Sequence, residues 1–408
     1  TDSDLSVADR KRRADVHADD DSVSDRHRDN DADADNDAHA DNDANADGDI
    51  VADRLRATDS SAAVDPAVAD GDRSADGHGD GKRDSDLHRR AYGYAVADAT
   101  SLESYLRCPA RYWFSSVLHL GPPEEWNAEV AATRRGTALH EVLESFFKRR
   151  ALAPVRPGDA QERLSKELYD AATEVFDRVE AEGNFDRELF RWQRARWVAG
   201  LIDDEPKGVL ACWLEREQEN GLDAEPMAVE LEFRGLQVGP LSVRGKIDRV
   251  DRVPGGLLLT DYKTGKVQDP KRLERGLLIQ PVLYAEALTQ ANPGQPVAAC
   301  YYEMKAPKDM GRVGWSGDGE LVKKLARSRV KPAIFDHTRG RAYLDHAARA
   351  AERLSRGRFH PTLAGDRDAD CEHCDFSRVC RVSHERAERL RPHAEGMDLQ
   401  APLRDEGP

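Results

Sequence analysis

Two aspartates and a lysine near the middle of the chain have the types and spacing that metal-assisted cleavage of a phosphodiester requires. Asp248 precedes a Pro-Gly pair at 254–255, and Asp261 and Lys263 follow it. If that pair forms a hairpin turn, Asp248 lies opposite Asp261, with Cβ atoms about 5 Å apart. Like charges repel at that distance, and a divalent cation turns the repulsion into ligation. Lys263 shares a face with Asp261, where it can orient the attacking water and offset phosphate charge.

The register of this hairpin is open to a second interpretation. An unprimed Pro-Gly turn matches the twist of a hairpin poorly, so the strands can slip. The ideal register also sets Lys246 beside Lys263, which indicates either a second phosphate contact or a bulge. An ordinary charged surface hairpin is the alternative. The apolar run Leu257–Leu259, the paired aspartates and the bracketing cysteines together favour a catalytic site.

Four cysteines bracket the hairpin. Cys108 stands alone, and more than 260 residues later Cys371, Cys374 and Cys380 form a C-x2-C-x5-C pattern. Four thiolates fit either zinc or an iron–sulfur cluster, and the spacing alone does not decide between them. His373 also permits a zinc site of three cysteines and one histidine. Either kind of site would hold the two ends of one domain together.

The charge of the chain is concentrated in its first part. Residues 1–90 contain 26 Asp against 13 Lys and Arg, and no Glu, Cys or aromatic residue, whereas the other residues are nearly neutral. Such low hydrophobicity with high net charge cannot bury enough apolar surface to offset chain entropy. We therefore predict a disordered, Asp-rich, low-complexity tail over residues 1–95. The overall acidity belongs to this tail and does not argue against a nucleic-acid partner for the remainder.

Two classes of protein are disfavoured by the composition. No apolar run approaches the ~18 residues of a membrane span, and the N-terminus lacks the apolar core of a secretion signal. Six cysteines are too few for a disulfide scaffold in a chain of this size. These features predict a soluble, cytoplasmic protein without a membrane partner.

The apolar periodicity beyond residue 95 predicts a mixed α/β domain. Helices are expected at 99–106 (capped by Thr100 or Ser101), from 136 onward, through about 160–218, and near 273–290 and 339–357. Strands are expected at 228–234, 241–250, 256–263 and 297–304. Helix, three strands, helix, strand is the order of a compact α/β core with helical insertions.

Five segments resemble, in order, the motifs of PD-(D/E)XK nuclease domains of the RecB/AddB type. The matching segments are 101–109 (SLESYLRCP), 135–144 (RGTALHEVLE), 245–251 (GKIDRVD), 261–265 (DYKTG) and 280–284 (QPVLY). The resemblance spans residues ~98–385, about 70% of the chain. It implies a restriction-endonuclease-like αβββαβ core within a nuclease domain at 96–390, followed by a flexible C-terminal tail at 391–408.

The resemblance also implies a metal site. His140, Asp248 and Asp261 would ligate Mg2+ or Mn2+, together with the backbone carbonyl of Tyr262. Lys263 would be the catalytic lysine. Without the motif, His140 on an apolar-striped helix would be interpreted as a capping or exposed histidine.

Three further residues receive roles from the resemblance. Gln280 and Tyr284 match a Gln-x3-Tyr helix motif that supports the site and contacts DNA, and they also rank with the expected catalytic residues. Alone, such an i,i+4 pair would be an ordinary helix-face pair. Glu230 matches an accessory acidic position.

The cysteine arrangement resembles that of AddB and of CRISPR-associated iron–sulfur nucleases. A 4Fe–4S cluster bound by Cys108, Cys371, Cys374 and Cys380 is therefore expected, with Zn2+ as the alternative. Closing a loop of about 260 residues carries an entropy of order 5 kcal/mol, so the cluster would be structural.

The expected function is that of a metal-dependent deoxyribonuclease, and more narrowly of an exonuclease, in DNA repair or recombination. Its substrate would be single-stranded DNA or DNA ends, and it would work alone or beside a helicase subunit. Two alternatives stay open: a non-catalytic DNA-binding module of a helicase–nuclease complex, and a CRISPR-associated spacer-processing nuclease.

Overall fold

The computed structural model describes residues 96–121, 132–183, 185–265, 267, 276–304, 310–326, 337–361, 371–372, 374–383, 385–386 and 389. The tails predicted at 1–95 and 391–408 lie outside the described residues. No helix in the described part of the chain is long and apolar enough to cross a membrane.

The described elements follow the predicted order of helices and strands. They are β1 (Val96–Asp98), α1 (Ala99–Arg107), α2 (Pro109–Tyr112) continued by a π-helical turn (Trp113–Val117), α3 (Ala132–Arg149), α4 (Gln161–Glu182), α5 (Arg187–Val198), α6 (Val209–Glu219), β2 (Glu225–Val238), β3 (Leu241–Val253), β4 (Gly256–Lys263), α7 (Gln280–Ala291), β5 (Val297–Glu303), β6 (Gly311–Gly317), α8 (Gly319–Leu325), α9 (His337–Ser355) and α10 (Ser377–Cys380).

The described strands form one mixed sheet in the order β1-β3-β4-β5-β6, with β2 also paired to β3. β2, β3 and β4 are antiparallel neighbours, whereas β4 and β5 are parallel and are connected through α7, as parallel strands require. β1 adds a parallel pairing to the start of β3, and β6 an antiparallel one to β5. The succession α3, β2–β4, α7, β5 is the expected αβββαβ core, so the predicted fold class is confirmed.

Helices pack on both faces of this sheet. One core lies between α1, α7, α9 and the sheet and includes Leu257 and Leu259 of β4. A second core lies between α3–α6 and the sheet and includes Tyr262, while α8 closes a third around Leu258. β4 is therefore buried on both sides, which explains its continuous apolar run.

The helical segment predicted at 160–218 is instead three helices. Asp186 is the N-cap of α5, since its side chain accepts a hydrogen bond from the backbone N–H of Leu189 at 3.0 Å. After α5 the chain turns at Gly200, whose φ of +74° favours glycine. Pro206, which cannot donate a backbone hydrogen bond, then precedes α6.

The start of α1 also differs from expectation. The N-cap is Asp98 rather than Thr100 or Ser101, and its side chain makes no capping hydrogen bond. The Asp98 carboxylate instead pairs with Arg244 of β3 at 2.7 Å. This ion pair joins the start of α1 to the strand that carries Asp248.

Candidate active site

One edge of β3 is divided between two partner strands. β1 pairs with residues 242–244 and β4 with residues 249–253, while β2 follows the other edge between 241 and 252. Asp248 lies at the gap between the two partners. Its Oδ2 atom accepts a hydrogen bond from the backbone N–H of Tyr262 at 2.7 Å. The carboxylate thereby takes a place that a strand carbonyl would otherwise hold, and its position is fixed.

The hairpin register predicted from the Pro-Gly turn is confirmed. The cross-strand pairs run from 253 and 256 to 249 and 260 without a shift. Asp248 and Asp261 are the next residues on their strands. The ladder ends before Lys246, whose ammonium contacts Glu230 on β2 instead of lying beside a second lysine.

A histidine and two carboxylates converge at the gap. His140 of α3 places Nδ1 3.4 Å from Oδ1 of Asp248. One ligand atom from each of His140, Glu230 and Asp248 lies within 4.8 Å of the other two. Glu230 has a φ of +52°, a backbone strain at the point where its carboxylate joins the group. Carboxylate oxygens with one imidazole can hold a divalent cation.

Asp261 and Lys263 continue the site along β4. The Lys263 ammonium lies 2.6 Å from Oδ2 of Asp261 and donates a hydrogen bond to Oε1 of Gln280 at 3.0 Å. Gln280 in turn donates from Nε2 to the Tyr284 hydroxyl at 2.8 Å. The Gln-x3-Tyr pair of α7 therefore supports the lysine. The structure brings the expected side chains, except the cysteines and the Tyr262 phenol, into this one region. Among the described residues, however, Asp261 lies outside the compact group that His140, Glu230 and Asp248 form.

The site holds several charges in a partly dehydrated environment. Burial raises the pKa of Asp261 to about 6, against the effect of Lys263, and the nearby Asp248 acts in the same direction as burial. Burial is the largest single influence and lowers the pKa of Lys263, but Asp261, Asp248 and Glu103 together raise it above its usual value, so the side chain is an ammonium. Burial lowers the pKa of His140, but the hydrogen bond and charge of Asp248, together with Asp261 and Glu230, raise it above its usual value. A bound cation would relieve this crowding of carboxylates.

A buried ionic network supports the site from behind. Arg249 is 2% exposed and lies 2.6 Å from Glu217 and 2.7 Å from Asp251, both of which are also buried. Its guanidinium stacks on Phe147 and donates to the Tyr262 hydroxyl at 3.3 Å. Arg249 follows Asp248, and Tyr262 follows Asp261, so the network ties together the two strands that carry the aspartates expected to bind metal. It also buries the Tyr262 phenol, so any ligand role of this residue falls to its backbone carbonyl.

Glu103 of α1 is a site residue that the sequence did not single out. Its Oε2 atom accepts a hydrogen bond from the backbone N–H of Gln280 at 3.3 Å. Burial raises the pKa of Glu103 to about 7, and Lys263 is the largest opposing influence. The contact depends on how α1 packs against α7, which no local pattern reveals.

The four expected cluster ligands meet at the opposite end of α1. Cys108, Cys371, Cys374 and Cys380 line a cavity of about 80 Å3, together with apolar side chains that include Phe376. Among the described residues, no three of these sulfurs lie within 4.8 Å of one another, unlike the ligand atoms of the group at Asp248. The chain therefore brings the thiols together but leaves space between them.

Aromatic packing joins the two ends of the domain independently of the cysteines. Phe359 contacts the rings of Tyr105, Tyr112 and Trp113 with centroid distances of 4.5–6.3 Å. The Tyr105 hydroxyl also donates to the backbone carbonyl of Arg358 at 2.6 Å.

Two open grooves adjoin the site and share Lys246 as a lining residue. One, of about 400 Å3, also reaches Gly245 and Gln280; the other, of about 760 Å3, runs past His140 and along α3 and α4. The second groove is lined by equal numbers of acidic and basic side chains, among them Glu141 paired with Arg178.

Comparison with known proteins agrees with this geometry. The model of the PD-(D/E)XK nuclease superfamily matches residues 98–381. Gene 69 protein of Mycobacterium phage D29 is 24% identical over 319 residues, which cover 70% of this chain and 97% of the phage protein. The B subunit of the ATP-dependent helicase/deoxyribonuclease of Limosilactobacillus fermentum is 26% identical over 253 residues, and that of Enterococcus faecalis is 23% identical over 287 residues. These stretches cover 54% and 63% of this chain but only 20% and 23% of the two relatives.

The chain belongs to the PD-(D/E)XK nuclease superfamily, because the family model matches well over half of its length. Its fold is the restriction-endonuclease-like fold of that superfamily, whose members generally use divalent metal ions. It is related at low identity to helicase/deoxyribonuclease B subunits, of which it spans about a fifth.

Proposed function

We propose that this protein is a divalent-metal-dependent deoxyribonuclease that hydrolyses DNA phosphodiester bonds as an exonuclease, on single strands or DNA ends, in repair or recombination. The convergence of His140, Asp248, Asp261 and Lys263 at the gap in the sheet edge carries this proposal. Membership of the nuclease superfamily supports the hydrolytic reaction. The relatives named as deoxyribonuclease subunits support DNA as the substrate.

The donor set fits Mg2+ or Mn2+. Asp248, Asp261 and His140 would hold the ion, and Glu230 and the Tyr262 carbonyl are candidates for further positions. Oxygen donors from carboxylates and a carbonyl are the ligands these ions prefer. The metal would supply an activated water and neutralise charge on the phosphate.

The protein's own side chains would position the reactants. The hydrogen bond from Tyr262 N–H fixes one oxygen of Asp248, so that the other is directed toward His140. The Lys263 side chain is 34% exposed, so its ammonium can reach a phosphate at the surface while Asp261 and Gln280 hold it. As an ammonium it would offset phosphate charge and orient the water rather than remove a proton from it. The two grooves provide a path for the strand on either side of Lys246.

The four cysteines would bind a structural 4Fe–4S cluster rather than zinc. A tetrahedral zinc ion holds thiolates about 2.3 Å away, which brings the sulfurs to about 3.8 Å from one another. The cysteines of a cubane bind different iron atoms and stand farther apart. The cavity of about 80 Å3 that all four cysteines line supports the larger group.

The proposal also includes a helicase partner. The relatives named as helicase/deoxyribonuclease B subunits carry the matching region as about a fifth of their length. The phage relative matches along nearly its whole length. The nuclease domain would therefore act either alone or beside a separate helicase subunit.

A cleavage assay on end-labelled single-stranded and double-stranded DNA tests the proposal. Cleavage is expected with Mg2+ or Mn2+, to stop with chelator, and to release short products progressively from an end of the single strand. Internal cuts on a circular single strand would overturn the exonuclease assignment, and metal-independent cleavage would overturn the metal assignment. Iron and zinc analysis of the same preparation distinguishes the cluster from a zinc site.

A further inference from the structure

The first turn of α7 lacks a capping side chain of its own. The N-cap residue is Ile279, whose side chain makes no capping hydrogen bond, and Pro281 follows at the start of the helix. A helix N-terminus presents backbone N–H groups that need acceptors, and an apolar N-cap cannot supply one. Glu103, on a different helix, accepts from the N–H of Gln280 at 3.3 Å. The cap is therefore supplied by a residue of another helix, and it depends on how α1 packs against α7.

Gln280 is the central residue of a short chain of hydrogen bonds. Its backbone N–H meets Glu103, its side-chain oxygen accepts from Lys263 at 3.0 Å, and its side-chain nitrogen donates to Tyr284 at 2.8 Å. A carboxylate at this end of the helix also interacts favourably with the helix dipole. Movement of the first turn of α7 would carry the Gln280 amide away from the lysine ammonium.

We propose that Glu103 is a positioning residue for Lys263: by capping α7 it fixes Gln280, and Gln280 fixes the lysine ammonium beside Asp261. The proposal rests on the nuclease function for its effect on the reaction, but the cap itself is a property of the fold. Glu103 also lies on α1, the nine-residue helix whose C-cap is Cys108. The cysteine site and the catalytic lysine are thus connected through a single helix.

Amide hydrogen exchange tests the cap without reference to activity. Glu103→Ala should raise the exchange rate of the α7 first turn about tenfold or more, since the buried Gln280 N–H loses its acceptor. Glu103→Gln, which keeps an oxygen acceptor, should retain most of the protection. Glu286→Ala, a carboxylate further along α7 that is bonded to Gln290, is the matched control and should leave that turn unchanged. Unchanged exchange in Glu103→Ala would overturn the proposal even if the protein proved not to be a nuclease.

A double-mutant cycle tests the route to Lys263. Glu103→Ala should lower the single-turnover cleavage rate about tenfold with little change in DNA affinity, and Glu103→Gln should recover most of it. In a Gln280→Ala background, Glu103→Ala should have almost no further effect, because the two residues act in series. Additive losses of rate would show that Glu103 and Gln280 act independently and would overturn the proposal. A loss of DNA affinity as large as the loss of rate would also overturn it. A wild-type protein without cleavage would contradict the proposed function and leave the exchange experiment to decide the cap.

Discussion

Replacing Arg249 with Met should destabilise the protein far more than the loss of a typical ion pair. Met keeps the aliphatic packing on Phe147 but removes the guanidinium that lies between Glu217 and Asp251. Both carboxylates are at most 2% exposed. Breaking a buried pair leaves an uncompensated charge and costs about 3–5 kcal/mol. Glu217 would keep its ion pair with Arg312 at 3.5 Å. We therefore expect the unfolding free energy to fall by about 4 kcal/mol, within this range.

The pH dependence of this loss has a definite sign. Even with Arg249 present, burial raises the pKa of Asp251, so its ionised form is disfavoured in the folded state. Without Arg249 that pKa rises further, and the folded variant binds a proton more readily than the unfolded chain does. The deficit in unfolding free energy should therefore shrink as the pH falls from neutral toward the unfolded carboxyl pKa of about 4.

Urea unfolding followed by tryptophan fluorescence measures this loss, since buried Trp213 packs against Phe147. Arg244→Met on the same strand is the matched control: Arg244 also lies 2.7 Å from a carboxylate, but both partners are about half exposed. It should cost less than about 1 kcal/mol. An Arg249→Met variant no less stable than Arg244→Met would refute the role assigned to the buried network.

Three individual contacts lead to further predictions. Gly245→Ala should lower the unfolding free energy by about 1–3 kcal/mol and slow cleavage, because the added Cβ would lie 2.6 Å from Phe233 and 2.7 Å from Tyr284. Gly158→Ala, whose Cβ would enter open space, should leave thermal unfolding unchanged. Burial lowers the pKa of His346 to about 4, so the folded state favours the neutral imidazole. The wild-type protein should therefore lose about 3 kcal/mol of unfolding free energy as the pH falls from ~6.5 to 4. His346→Leu should not show this loss. Cys108→Ala should lose all bound iron by metal analysis, yet α1 should stay docked through its aromatic contacts, so a fully unfolded α1 by hydrogen exchange would contradict this.

The central part of the site could be predicted because its geometry is local. A two-residue turn determines which residues face each other, and it sets the register as far as Arg249 opposite Thr260, one residue short of the two aspartates. The helix and strand pattern likewise predicts the αβββαβ order, since each element carries its own apolar periodicity.

The missed elements had weak local signals. β1 is only three residues long, and β6 contains glycines at 311, 314 and 317, which favour strands poorly. The break between α5 and α6 depends on a glycine in the left-handed region rather than on apolar spacing.

The interactions that connect distant segments could not be predicted from any window of sequence. The cap from Glu103 to Gln280 joins residues 177 apart in the chain. Arg249 and Glu217 lie on a strand and on a helix of the insertion, and each looks like a surface charge in its own segment. Glu103 lies on α1, whose C-cap is Cys108. This helix packs on one face of the sheet, whereas α3, the helix that carries His140, packs on the other face.

Single-turnover cleavage of end-labelled single-stranded DNA by Lys263→Ala, with Mn2+ present, tests the nuclease assignment most directly. Lys323→Ala, an exposed lysine paired with Glu320 on α8, is the control for removal of a positive charge. We expect Lys263→Ala to lose at least about a hundredfold in rate with its fold and metal content unchanged, and Lys323→Ala to match wild type. Cleavage by Lys263→Ala at the rate of Lys323→Ala would contradict the catalytic role of this site.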